Sequence, residues 1–236
     1  GTSGQVDLGA NAQGRYISST LYGAAGDIII KAREGALLDG DFIADVQGTG
    51  QRGSFSLSLE SNATPIAINP APPTGERVLT VTSQKQVQAG SLNAGDSLAA
   101  FEGKAQISTE QLDKAQFDHV SLASKSESRD PTSSEHDRIQ FEDSVRLKAG
   151  ETLSLETPRL SVMNDGTVDL QASHIMMSSP SISNDIVAGN GLLRATADWI
   201  DLSGHLNFSG INRAELTSRL DIRMRGHIDD NKGSLV

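Results

Sequence analysis

Residues Ser144 to Met177 read SVRLKAGETLSLETPRLSVMNDGTVDLQASHIMM. Their apolar side chains come in pairs with one residue between: Val145/Leu147, Leu153/Leu155, Leu160/Val162, Val168/Leu170 and Ile175/Met177. The residues in between are Arg146, Ser154, Ser161, Asp169 and Met176, polar in all but the last. Alternation of this kind marks a strand with one buried face, because successive side chains point to opposite sides. A helix would need apolar residues at i, i+3, i+4 and i+7, and the window lacks them. The pairs begin 8, 7, 8 and 7 residues apart, so three short strands consume 22 or 23 residues. Only two to four residues remain at each corner, and the Asn-Gly or Asp-Gly signal of tight hairpins does not recur from corner to corner, Asp165-Gly166 being its one instance. A chain that bends steadily one way through three short faces makes a rung of a parallel β-helix.

The same beat extends outward from this window. Upstream, Ile28/Ile30 is followed by Leu37, then Phe42 and Ala44, with Gly26, Gly35 and Gly40 at expected corners. Ser54 to Leu59 is a plain Ser/apolar alternation. Downstream come Leu193/Ala195, Ile200/Leu202, Leu206/Phe208, Leu216 and Leu220/Ile222/Met224, with Asp221, Arg223 and Arg225 expected to face outward. Gly191, Gly204, Gly210 and Gly226 punctuate this part, and corner glycine suits bends that require positive φ. Between Gln84 and Gln111 the beat fades, and only Ala105/Ile107 reads as a strand.

Two stretches break the pattern. Residues 61–77 hold four of the seven prolines (Pro65, Pro70, Pro72 and Pro73) and cannot be ladder strand throughout. Residues 124–138 are polar and charged. Both read as loops thrown out from one body spanning residues 1–236. The expected fold is therefore all-β: a right-handed parallel β-helix, or solenoid, with protruding loops. Each rung would pair with those above and below, and its inward residues would stack into aliphatic columns.

Composition agrees. Aromatics make up 4% of the 236 residues, so the core must be thin and built from Leu, Ile, Val and Ala. The formal charge of -10, with Lys and Arg dispersed among the acids, lacks the basic stripe a phosphate backbone requires. It argues against nucleic acid and against anionic membrane surfaces as partners. The count of zero cysteines excludes disulfides and thiolate chemistry, and is compatible with a chain threaded unfolded across an envelope. No apolar run approaches the roughly 18 residues of a membrane-spanning helix, so membrane insertion is not expected. The chain opens on Gly1-Thr2-Ser3-Gly4, without a leader pattern, and reads as a section of a longer polypeptide.

Two segments carry a family resemblance. Gly26-Asp27-Ile28-Ile29-Ile30-Lys31-Ala32, running on to Gly35-Ala36-Leu37-Leu38-Asp39-Gly40-Asp41, resembles the repeating rungs of filamentous haemagglutinin-like exoproteins. Gly191-Leu192-Leu193-Arg194-Ala195 with Ile200-Asp201-Leu202-Ser203-Gly204 resembles them again. The resemblance implies a β-helical shaft in a large bacterial protein exported by two-partner secretion. It also implies a place at the cell surface or outside the cell, and a role in adhesion and virulence. An outer-membrane transporter would be the partner, engaged through regions outside this section. A host-cell or glycan receptor would be the other partner, and the shaft itself a monomer. No functional residue carries over, since the matching positions belong to rungs.

The rival reading is a β-helical enzyme that cleaves polysaccharides, which would need clustered carboxylates on one face. Its candidates are Asp39 with Asp41, Asp201, and Asp229 with Asp230, but acids are also the ordinary dressing of a solvated strand. Side chains suited to stacking on sugar are few: Trp199, Tyr16 and Tyr22. Ser134-Glu135-His136-Asp137 contains the residue types of a triad, yet consecutive residues cannot form the relay. His119, His174, His205 and His227 are isolated in sequence. Asp229-Asp230-Asn231-Lys232-Gly233 opens like a calcium loop without its closing Glu. Asn62 and Asn207 head glycosylation triplets, a common chance match. The balance of these readings expects no catalytic residue, no cofactor and no metal.

Overall fold

The computed structural model describes residues 4–7, 18–21, 25–32, 35–44, 50–61, 76–87, 99–126, 136–181, 183 and 186–226. They are mostly strand, in parallel sheets that curl into a half-barrel. The exception is β1 (Gly4–Asp7), which pairs antiparallel with β2 (Ser18–Leu21). In order there follow β3 (Ile28–Ala32), β4 (Gly35–Ala36), β5 (Ser54–Ser61) and β6 (Val78–Thr82). Next are β7 (Lys104–Ser108), the helix α1 (Thr109–Ala115), β8 (His119–Ser126) and β9 (Arg138–Phe141). Then come β10 (Val145–Lys148), β11 (Thr152–Glu156), β12 (Arg159–Val162), β13 (Thr167–Gln171) and β14 (His174–Ser179). The series ends with β15 (Gly191–Gly204), β16 (Asn207–Ser209) and β17 (Ile211–Arg225).

The larger sheet runs β10-β13-β15-β14-β11-β8-β5-β3, with β17 on the other edge of β15. Strand β15 belongs to two ladders: residues 192–196 pair with β13 and residues 199–204 with β14. Between them the chain turns a corner at Ala197 and Asp198, where the Asp198 and Trp199 amides both donate to the Ser173 carbonyl of the preceding corner. The smaller sheet runs β16-β12-β9-β6-β7-β4.

In-register pairing converts the alternation into continuous apolar columns. One passes through Ile28, Phe55, Val120, Leu153, Ile175 and Ile200. A second passes through Ile30, Leu57, Leu122, Leu155, Met177 and Leu202. In the smaller sheet Ala36, Ala105, Leu79, Ile139, Leu160 and Phe208 stack likewise. All five pairs of the 144–177 window are buried in one cluster. Non-directional burial of apolar surface drives such stacking, at about 1.5–3 kcal/mol for each aliphatic side chain removed from water.

Several features depart from the sequence reading. Strand order in the smaller sheet is not chain order, because β7 lies between β4 and β6. The apolar pairs of the two strands are interchangeable to their neighbours: Ala105 and Ile107 face inward beside Leu79 and Val81. Residues 109–115 form a helix, capped by Ser108, whose side chain accepts from the Gln111 amide while the Gln111 side chain answers the Ser108 backbone. Of the expected loop at 124–138, residues 127–135 lie outside the described residues, while β8 runs to Ser126 and β9 starts at Arg138. Ser124 is fully buried there, donating its hydroxyl to the Arg77 carbonyl. Of the 61–77 stretch, residues 62–75 lie outside the described residues; Ser61 belongs to β5, and Arg77 is fully buried. Ser161 keeps its outward register between Leu160 and Val162 but is buried. Finally, Ile222 and Met224 continue the inward register of Ile200 and Leu202 but are 40% and 69% exposed. Among the described residues no strand pairs with the far edge of β17, so nothing covers them.

Candidate functional site

Outward side chains of neighbouring strands meet along the stack. On β14, β15 and β17 this brings together His174, the pair Trp199 and Asp201, and Arg223, which lie 22–27 residues apart from strand to strand. The register sets His174 beside Trp199, Trp199 beside Asp221, and Met176 beside Asp201 beside Arg223. The Asp201 Oδ2 receives a hydrogen bond from Arg223 Nη2 at 2.5 Å and meets His174 Nε2 at 2.6 Å. The Arg223 guanidinium lies 5.3 Å from the centre of the Trp199 ring, within cation–π range. Burial pushes the Asp201 carboxyl up, but hydrogen bonds and charge from Arg223 and His174 outweigh it and hold the pKa below its ordinary value.

That shift bears on the enzyme reading. A glycan-cleaving pair needs one carboxyl kept protonated near neutral pH, which requires a raised pKa. Asp201 moves the other way. Asp113 does move up, through burial, but it sits on α1 with Lys148 and Arg146 as its charged neighbours. Asp41 is paired with Lys85 at 2.9 Å and lies near Lys114 of the same helix, so Asp41 and Asp201 have separate surroundings. Several other outward acids are answered by bases on adjacent strands. Lys125 lies between Glu60 and Glu156, Arg194 meets Glu215, and Arg219 meets Asp198. Such cross-strand pairs are ordinary stabilising contacts of a sheet.

The other sequence candidates are scattered. His119 approaches Glu151 at 3.4 Å. Asp137 is fully buried and accepts the Arg77 amide, while Ser134 and Glu135 lie outside the described residues. Asn207 sits in β16 with its amide committed to the Ser183 carbonyl. Asp229, Asp230, the calcium-like run after them, His227, Asn62, Tyr16 and Tyr22 lie outside the described residues. No group of three or more metal-ligating side chains is present among the described residues, and none of their helices is long and apolar enough to cross a membrane.

Sequence reading singled out His174, Trp199 and Asp201 separately and missed that they converge. It also passed over Arg223, the residue that ties Asp201 to Trp199. The signal was the 22-residue offset between Asp201 and Arg223, which matches the beat of the 144–177 window. No protein-family model, curated protein or solved structure matches the chain.

Proposed function

We propose that the chain is a non-enzymatic section of a right-handed parallel β-helix, serving as the shaft of a large secreted bacterial surface protein. In this reading it belongs to the filamentous haemagglutinin-like exoproteins of two-partner secretion and supports attachment to cells or surfaces. Its partners are an outer-membrane transporter, engaged elsewhere in the polypeptide, and a receptor on a cell or in a glycan coat. One observation carries the reading: strands 20–27 residues apart, such as β10 with β13 and β14 with β15, pair parallel and in register, one level of the stack on the next. Crossovers between parallel strands of one sheet are right-handed in about 98% of cases, which supports the hand. Scattering from the purified chain should give a rod-like profile, and beads coated with it should attach to target cells. A compact globular profile would remove the shaft.

A second reading, glycan binding, is favoured by the groove of mixed polar and apolar lining beside β9, β12 and β16 (residues 138–141, 159–162 and 207–209).

A further inference from the structure

The groove runs over the outward face of the smaller sheet and encloses about 470 Å³, within the range that takes a small ligand. Its floor is a row of hydrogen-bonding side chains, one per strand: Gln140 is in register with Ser161, and Ser161 with Ser209. Adjacent strands are about 4.8 Å apart, so the row offers one polar group per level along the stack. Two of them, Gln140 and Ser209, retain capacity for a ligand. Ser209 Oγ accepts from the Val187 amide at 3.0 Å, which leaves its hydroxyl proton to donate. Gln140 Oε1 accepts from Arg138 Nε at 3.0 Å, which leaves its amide group.

The wall at one side is apolar and open to solvent, with Met163 41% and Val187 60% exposed. It is held close by backbone contact. The Gly210 amide donates to the Val187 carbonyl, and Gly210 has φ of +70° with its Cα hydrogen facing the Val162 carbonyl, where a Cβ would come within 2.2 Å. A side chain at Gly210 would therefore push this wall off the groove.

Charge selects the ligand. The lining holds two acids, Glu76 and Asp165, and two bases, Arg138 and Arg159. Arg138 is paired with Glu76 at 2.6 Å, and Arg159 donates to the His136 carbonyl at 3.3 Å. Asp165 accepts the backbone and side-chain amides of Asn190, which hold its pKa down. An ion of either sign would have to compete with these internal partners, whereas a neutral polyol would not. From the row of amide and hydroxyl groups, the apolar wall and the compensated charges, we infer that this groove binds a linear neutral oligosaccharide lying along the stack. Ring hydroxyls would meet Gln140, Ser161 and Ser209, and the C–H face of the sugar would lie on Met163 and Val187. The inference rests on the glycan-binding reading above.

The four methionines make a direct test. With [13C-methyl]methionine protein, cellohexaose, laminarihexaose and chitohexaose are titrated separately, with hexagalacturonate as the acidic comparison. At least one neutral hexamer should shift the Met163 methyl resonance saturably, with little dependence on salt, while Met176 and Met224 stay in place. Met163→Asp, at an exposed position, should weaken binding about tenfold or more with an unchanged circular dichroism spectrum. Ser209→Ala and Gln140→Ala should each weaken it about three- to tenfold, as the loss of one hydrogen bond does. If no neutral hexamer moves Met163, if the shifts fall on Met176 beside Asp201, or if hexagalacturonate alone binds and is displaced by salt, the inference is overturned. The shaft is tested separately by scattering, so a rod-like profile without Met163 shifts removes the groove and leaves the shaft standing.

Discussion

Gln111 joins three parts of the chain. Its Oε1 accepts from the Ser108 amide and hydroxyl, while its Nε2 donates to the carbonyls of Leu38 and Gly40 at 2.8 and 2.6 Å. The side chain is buried, so its removal strands backbone groups away from water. Gln111→Ala should cost about 2–3 kcal/mol in a denaturant titration, the sum of a lost cap and two unpaired carbonyls. A second residue-scale expectation concerns Asp201. Its folded pKa lies below the ordinary 3.8, so its contribution to stability is present above that value and is lost as pH falls through the folded pKa. Thermal melts on acidification below about pH 4 should therefore fall more steeply for the wild type than for Asp201→Asn. Parallel curves would mean that Arg223 and His174 do not hold the carboxylate. Residues such as Ser124 and Ser161 show why some of this was hidden in the sequence. Both are buried, and a polar side chain carries no periodic signal of its burial; that of Ser124 depends on Arg77, 47 residues away.

At the scale of the element, the same kind of residue should matter very differently by position. Leu155 is in the middle of its column, between Leu122 and Met177. Leu155→Ala should cost about 2–5 kcal/mol, since neighbours on both sides limit collapse of the cavity. Met224 prolongs that column at its uncovered edge, and Met224→Ala should change stability by only about 0.5 kcal/mol or less. Similar losses at both positions would deny that burial in stacked levels drives the fold. Strands were legible wherever alternation was strict, as in β10 to β14. Their order was less so, because Val78–Thr82 and Lys104–Ser108 present equivalent inward pairs and nothing local decides which stacks on β4. The helix was signalled by Ser108 and Gln111 at capping-box spacing, but Leu112 and Ala115 alone gave it too little periodicity to be noticed. Corner glycines were half understood. Gly204 and Gly210 have positive φ, whereas the corner at Gly191 needs room, with Val162 where a Cβ would stand.

For the whole molecule, the candidate site was legible only as separate residues, because convergence depends on register between levels. Register is also the claim on which shaft, patch and groove all rest. The chain contains no cysteine, so engineered pairs report on it without background. Arg146 and Asp169 are outward partners on β10 and β13, and Ser154 and Met176 on β11 and β14. Cysteines at directly opposed positions of adjacent parallel strands fall within disulfide range, about 4.4–6.8 Å between Cα atoms, while a two-residue offset exceeds about 7 Å. The most direct measurement is therefore oxidation of the double variants R146C/D169C and S154C/M176C beside the offset control R146C/Q171C. Efficient intramolecular disulfides in the first two and none in the control are the expected result. Cross-linking of the offset pair, or of none, would contradict parallel in-register stacking.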